Sequence, residues 1–414
     1  MRVALAATAA VVLALAASGL PAAAASPADI AAVFPYLQFG GPGGSATPPP
    51  VVVRWFTVPP RPGRVELRTG DDTTPWLPTG DSPAGARHAV TLSALAPDQA
   101  CAYRVLSDAV AGAAAETSAA FVFTTVPVDP ATPFTFIVYG DNRSRPASHR
   151  AVTQRMLAGP APRFIVNTGD VVANGPDSLL WHEEFLDPAR ELFAVAPVLV
   201  TPGNHEQDRS RRPRELARLW FDNLTLPGNG STSGAGRWWS ARTGGCLLIG
   251  LDSTQPNASG QTAWLAATLA AADPRDFVLV FLHHPLWSWG GHDHDPAVRA
   301  AWGRLLDDRR VDVVFTGHNH FYQRTYPLRA GSPVTRRPGR YRAGLGTVHC
   351  VAGGGGAPLY TPLGDPRVAA QSETCHFVRL DYAPGSLTCT AIADDGDQLD
   401  RFVIEKPASA ARVR

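Results

Sequence analysis

At 414 residues the chain is long enough for two domains and a large core, and 45% hydrophobic against 18% charged residues is the balance of a globular protein. A net charge of +1 argues against a nucleic-acid partner, which would require a basic surplus. The single lysine is Lys406, so a GxxxxGK phosphate loop is excluded, and no GxSxG elbow of a serine hydrolase occurs.

The first residues read as an export signal: Arg2 is the positive end, Val3–Leu20 the apolar stretch and Ala22–Ser26 small residues fit for cleavage. The competing reading is an uncleaved anchor. Residues 1–26 are therefore expected to be a signal peptide, and the mature protein secreted or periplasmic with no membrane attachment. Five cysteines without a CxxC pair argue against a thiolate metal site, and a bridge among Cys350, Cys375 and Cys389 is expected in an oxidising compartment.

From residue 27 to 127 short β runs alternate with Pro, Gly and Asp: Val51–Val58, His88–Leu92, Ala102–Leu106 and Ala120–Thr125. The spacing predicts a small β-sandwich. The segments LAPDQACAYRV (Leu95–Val105) and FVFTTVP (Phe121–Pro127) resemble a fibronectin type III domain, with the Leu-x-Pro turn and Tyr103 at its close.

After a polar junction at Asp129–Thr132 the rhythm changes to strand then helix. Strands are expected at Phe134–Tyr139, Arg163–Asn167, Val195–Val200, Cys246–Leu251, Phe277–Leu282 and Val311–Phe315. Helices are expected at Ala147–Leu157, Pro176–Phe193, Arg211–Leu224, Thr262–Ala271 and Pro296–Asp308. The strand runs are apolar throughout, as when both faces are covered. From Gly346 the strands follow one another, with turns at Ala383–Gly385 and Asp394–Asp397, which predicts a second sheet of antiparallel hairpins. This α/β domain spans 131–405 and leaves a tail at 406–414.

Polar groups gather at the carboxyl ends of these strands, where open α/β sheets place their ligand crevice. Asp141 follows the first in YGDNR, Asp170 the second in NTGDVVANG, and Asn204 and His205 the third in TPGNHE. His283 ends the fifth in FLHHP, and His318 and His320 end the sixth in VDVVFTGHNHFYQR. Residues i and i+2 of an extended chain share a side, so His318 and His320 are expected to address one point, and paired imidazoles suit a metal. His284, beside His283, is read as structural because neighbouring strand residues face opposite ways.

In this order GD, GDxx, GNHE, HxP and GHxH resemble the calcineurin-like metallophosphoesterases, and with the β-sandwich in front the chain is similar to the purple acid phosphatases. The resemblance implies an αββα sandwich of two sheets and a secreted hydrolase of phosphate monoesters, with diesters a further substrate class. It implies two cations about 3.5–4 Å apart, with attack on phosphorus by a metal-bound hydroxide. Asp141, Asp170 and His320 would hold the first cation, and Asp170, Asn204, His283 and His318 the second; oxygen and nitrogen ligands suit Fe, Mn or Zn. His205 would orient substrate and assist the leaving group. His292 and His294, in WGGHDHD, either serve the phosphate or are histidines of a solvated loop.

Two positions depart from the family pattern. Ala173 stands where purple enzymes place a tyrosine, so the protein is not expected to be purple. Arg143 stands where many relatives place a histidine, leaving three motif ligands for the first cation. Arg143 either offers a guanidinium fork to phosphate or makes a surface ion pair. These departures motivate a second reading: a non-catalytic phosphate-binding protein whose first metal site is degenerate. Gly353–Gly356 reads as a turn lining the mouth of the site, because Pro358 disfavours a helix opening there.

Overall fold

The computed structural model describes residues 34–40, 48–92, 94–229, 234–292 and 294–406. The expected signal peptide lies outside the described residues, as does the tail beyond residue 406. Among the described residues no helix is long and apolar enough to cross a membrane.

The N-terminal region is all-β, consistent with a β-sandwich. Its spine is a long bent hairpin, Val51–Arg68 with Leu77–Leu92, whose register shifts between Phe56 and Arg61. Beyond the bend the chain folds back over its own first half: a Cβ at Gly63 would fall 3.0 Å from the Trp55 ring and 2.7 Å from the Leu106 carbonyl. Ala100–Ser107 alternates outward and inward residues, as a half-buried strand must, and sends Cys101, Tyr103 and Val105 into the core.

Tyr103 does more than close this layer. Its hydroxyl donates to the Ala194 carbonyl, 2.8 Å away in the α/β region. Tyr36–Phe39 likewise pairs with Val51–Arg54 on one side and, through Gln38, with Val198 on the other. One sheet therefore runs from the β region into the α/β region.

The α/β region has two sheets. In the first, Phe134–Tyr139, Ile165–Asn167 and Val198–Val200 are parallel neighbours. In the second, Cys246–Gly250, Phe277–Phe281, Val313–Thr316 and Val348–Ala352 run parallel; Trp239–Thr243 pairs antiparallel at one edge, and Tyr322–Thr325 and Val368–Ser372 complete the other. The central strands are buried on both faces, which is why their sequences are continuously apolar. Phe134, Phe136 and Phe164 from the first sheet meet Phe277, Phe281 and Phe315 from the second in one core cluster. Helices Gln261–Ala270 and Pro296–Asp308 cover the outer face of the second sheet through Leu265, Val298, Trp302 and Leu306.

Helix Pro296–Asp308 starts as its sequence predicts: the Asp295 carboxylate accepts from the Ala297 and Val298 N–H groups, and Pro296 opens the first turn. Asp295→Ala should lower stability by about 1 kcal/mol, read as a shift of the urea midpoint at constant slope.

Four expectations need correction. The C-terminal hairpins His376–Ala383, Ser386–Ala393 and Gln398–Glu405 do not form a second sheet but extend the first, pairing through His376–Ala383 with Phe134–Tyr139. The helix expected over 176–193 is broken into Ser178–Leu180, a wide π turn at Trp181–Leu186 and Arg190–Phe193, because Pro188 has no N–H to continue it. The helix expected over 211–224 survives only at Arg218–Asn223, since Glu215–Leu216 pairs as a short strand with Gln207–Asp208. All five cysteines are free thiols, and burial pushes Cys101 up to about 11 and Cys350 up to about 12.

Candidate metal centre

The site forms where strand ends from both sheets turn sharply. Asp141, Asp170 and His318 have φ of +58°, +54° and +68°, a left-handed conformation uncommon for side chains of this size. Such strain persists where surroundings enforce it, and it concentrates at functional sites. Glycines make the close approach feasible. A Cβ at Gly203 would fall 2.3 Å from Asp170 Oδ1, and one at Gly317 2.2 Å from Asp141 Oδ2.

Asp170 stands at the centre. Its Oδ1 accepts the His205 backbone N–H (3.0 Å) and lies 3.3 Å from His283 Nε2. Its Oδ2 accepts from Arg143 Nε (3.2 Å) and lies 3.8 Å from His205 Nε2. Asp141 accepts the His318 backbone N–H on both oxygens and lies 3.5 Å from His320 Nε2. Ligand atoms of Asp141, Asp170 and His320 fall within 4.8 Å of one another. His283 Nε2 faces Asn204 Oδ1 and His318 Nδ1, each at 3.2 Å.

His318 and His320 therefore do not address one point. The left-handed turn at His318 breaks the extended geometry, so His318 joins His283 while His320 joins the two aspartates. His284, read from the sequence as structural, has a ligand atom within 4.8 Å of those of His283 and His318, and its Nδ1 meets Ser253 Oγ at 3.0 Å.

Backbone carbonyls set the imidazole tautomers. His283 Nδ1 donates to Thr168 O (3.0 Å), His320 Nδ1 to Pro358 O (2.6 Å) and His205 Nδ1 to Ala173 O (2.7 Å). Each Nε2 is then left with a lone pair aimed at the carboxylates. Burial pulls His283 down to about 3 and His320 to about 4; burial, then the neighbouring His283 and His284, also depresses His318. These rings are neutral, the form that ligates.

The carboxylates are driven apart. Burial and then the charge of Asp170 raise Asp141 well above its ordinary range. Burial also opposes ionisation of Asp170, but its contacts with His283, His205 and Arg143 outweigh it and hold that group low. Two buried carboxylates, an amide oxygen and converging neutral imidazoles form a donor set short of positive charge, and that set fits divalent cations.

Four further features frame the site. Glu206 is buried, and its carboxylate accepts the backbone N–H groups of Asp170, Val171, Val172 and Gly203. Burial and then Asp170 raise it to about 8. Tyr360 stacks on His320 with ring centroids 4.2 Å apart and planes 14° from parallel. Glu184, on the π turn, accepts the Ala173 N–H. Gly353–Gly356 behaves as expected of a lining turn: Gly355 N–H donates to Gly140 O, and a Cβ at Gly353 would fall 2.9 Å from Asp141 Oδ2.

Among the remaining candidates, Arg143 is no surface ion pair, since its side chain is 14% exposed and held on Asp170. His292 is exposed, stacks on His318 (4.5 Å) and meets Tyr360 edge-on (5.4 Å). The His294 ring lies 5.8 Å from that of Trp287. The π turn, Tyr360 and His284 left no motif in the sequence; Glu206 did, as the last letter of GNHE.

Residues 134–322 match the family model of the calcineurin-like phosphoesterases. An uncharacterized protein of Mycobacterium tuberculosis is 30% identical over 227 residues, 47% of this chain and 42% of its own length. Purple acid phosphatase 18 of Arabidopsis thaliana is 29% identical over 180 residues, 42% of this chain and 39% of its own. A probable inactive purple acid phosphatase 1 of the same plant is 26% identical over 279 residues, 58% of this chain and 43% of its own. The matched region thus spans about two-fifths of the length of these curated relatives. Among solved structures, the purple acid phosphatase PPD1 of yellow lupin superposes with a TM-score of 0.75 at 18% identity, covering 91% of this chain and 75% of that one. PhoD superposes with a TM-score of 0.65 at 13% identity, covering 89% and 90%. At such identities the likeness is one of fold.

Proposed function

We propose, for a chain that carries a calcineurin-like phosphoesterase domain over residues 134–322, that it hydrolyses phosphate monoesters at a site for two cations. The observation that carries this reading is the position of Asp170, within ligand reach of Asp141 and His320 and 3.3 Å from His283. One carboxylate so placed can be shared between two cations. Asp141, Asp170 and His320 would hold one, and Asp170, Asn204, His283 and His318 the other. The cations, Fe, Mn or Zn by their donors, would polarise the phosphoryl oxygen and acidify a coordinated water.

The chain's own groups do the rest. Arg143, tethered to Asp170 through Nε, would turn its outer nitrogens to a phosphoryl oxygen. His205, oriented by the Ala173 carbonyl, would place Nε2 beside the leaving-group oxygen, where it can hold or pass a proton. His292, with His294 on the same loop, would border the leaving group at the open side. Glu206 keeps the Asp170 turn rigid. Export follows from the signal-like residues 1–26, and residues 27–127 would form the fibronectin-like domain.

Rates on 4-nitrophenyl phosphate and bis(4-nitrophenyl) phosphate, measured together with metal content, test this. Turnover of the monoester at two metals per chain is expected. Metal-loaded protein that binds phosphate without turning over either ester would instead support the non-catalytic reading, which Ala173 and Arg143, as departures from the family pattern, motivate. Arg143→Ala should raise KM for the monoester about tenfold, the loss of a charge-assisted hydrogen bond, with a smaller change in kcat. An unchanged KM would remove Arg143 from the substrate.

Removal of metal should also lower stability. If each cation is present at about 100-fold its Kd, chelation costs about 2.7 kcal/mol per site, visible as a drop in Tm that added metal reverses.

A further inference from the structure

A cavity lies on the outer side of the second sheet, between helix Pro296–Asp308 and the hairpin at Leu328–Pro333. Its volume of about 570 Å³ is in the range that holds small organic ligands. Leu286 and Trp287 supply apolar wall, and Arg299 and Arg310 supply charge. His349, on strand Val348–Ala352, lines it from the sheet side.

Two observations point to a ligand. His349 is 5% exposed, yet its Nδ1 has no hydrogen-bond partner, which is unusual for a buried polar atom. Burial alone pulls the ring down to about 3, so it is a neutral imidazole. Independently, the half-buried Arg299 guanidinium makes no hydrogen bond or ion pair with a described residue, and the exposed Arg310 at the cavity rim is likewise unpaired. Arg299 rests over the Trp287 face at 4.6 Å. The acidic groups nearby are already engaged: Asp307 accepts the Ala330 N–H (2.8 Å), and Asp308 pairs with Arg304 (3.4 Å).

We propose that this cavity binds a small aromatic carboxylate, its anionic end between Arg299 and Arg310 and its ring against Trp287 and Leu286. The pairing follows ordinary complementarity: a planar guanidinium forks onto a carboxylate, and an aromatic wall takes a flat apolar body. Inorganic phosphate would satisfy the arginines but leave the apolar wall unused. The site is separate from the strand-end cluster and does not depend on the hydrolytic reading.

Calorimetric titration of the full chain with benzoate, and separately with inorganic phosphate after metal removal, tests it. One benzoate per chain is expected, with phosphate weaker. Gly303→Leu should weaken benzoate about tenfold or more, because a side chain there grows into the cavity past Arg299 and Leu286 while suiting the helix better than glycine. Arg299→Gln, a change at a partly exposed position, should weaken it comparably, whereas Asp170→Asn should leave it unchanged. The proposal is overturned if benzoate shows no saturable binding, if both Gly303→Leu and Arg299→Gln bind as the parent does, or if Asp170→Asn abolishes binding. Phosphate binding as tight as benzoate would overturn the aromatic part of the assignment.

Discussion

Replacing Asp170 by asparagine should reduce kcat/KM on an aryl phosphate by about 10³-fold, or about 4 kcal/mol of transition-state stabilisation. The amide keeps an oxygen to accept the His205 backbone N–H and nearly the same volume, so the turn should survive. The charge shared by the two donor groups is lost. Thermal unfolding supplies the control: the parent should lose stability on chelation, whereas Asp170→Asn should respond little. Full activity in the variant would sink the shared-carboxylate reading. Loss of activity with an undiminished response to chelation would show that metal is held without this carboxylate.

Glu206→Leu is expected to be the most damaging single change outside the proposed ligands. Four backbone N–H groups converge on that carboxylate, and removing it strands them in a buried turn. At about 1–3 kcal/mol per orphaned donor, with incomplete additivity, the loss should be about 3–5 kcal/mol by urea unfolding. Activity should fall in parallel, because the Asp170 turn is the element that Glu206 holds. Glu206→Gln retains one acceptor oxygen and should cost less. Equal stability of the Leu variant and the parent would show that the turn holds itself.

The glutamate illustrates how far a linear reading reaches. Asp141, Asp170, Asn204, His283, His318 and His320 were legible because parallel strands leave a regular signature, an apolar run ending in Gly and a polar residue. That rule places candidates at one edge without knowing which sheet each strand joins. Two sheets share the work: the first delivers the aspartates and Asn204, the second the three imidazoles. The family resemblance assigns His318 and His320 to separate cations, and only the expectation from i, i+2 spacing that they address one point fails, because the extended periodicity ends at the left-handed His318. Tyr360 is silent because an aromatic after a glycine loop carries no local pattern, and His284 is misread because strand alternation does not carry past the strand end at Phe281. Their contacts come from segments far apart in the chain.

Residue order alone determined the strand-and-helix alternation, the β region before it and the set of polar residues at strand ends. Each depends on a few neighbouring side chains and the twofold or 3.6-fold geometry of the backbone. Tertiary structure decided the remainder: the C-terminal hairpins extend the first sheet, Arg143 lies on Asp170, and Glu206 gathers a turn's amides. Those outcomes are set by long-range packing and by the need to satisfy buried charge and hydrogen bonds, and most of the partners lie far apart along the chain.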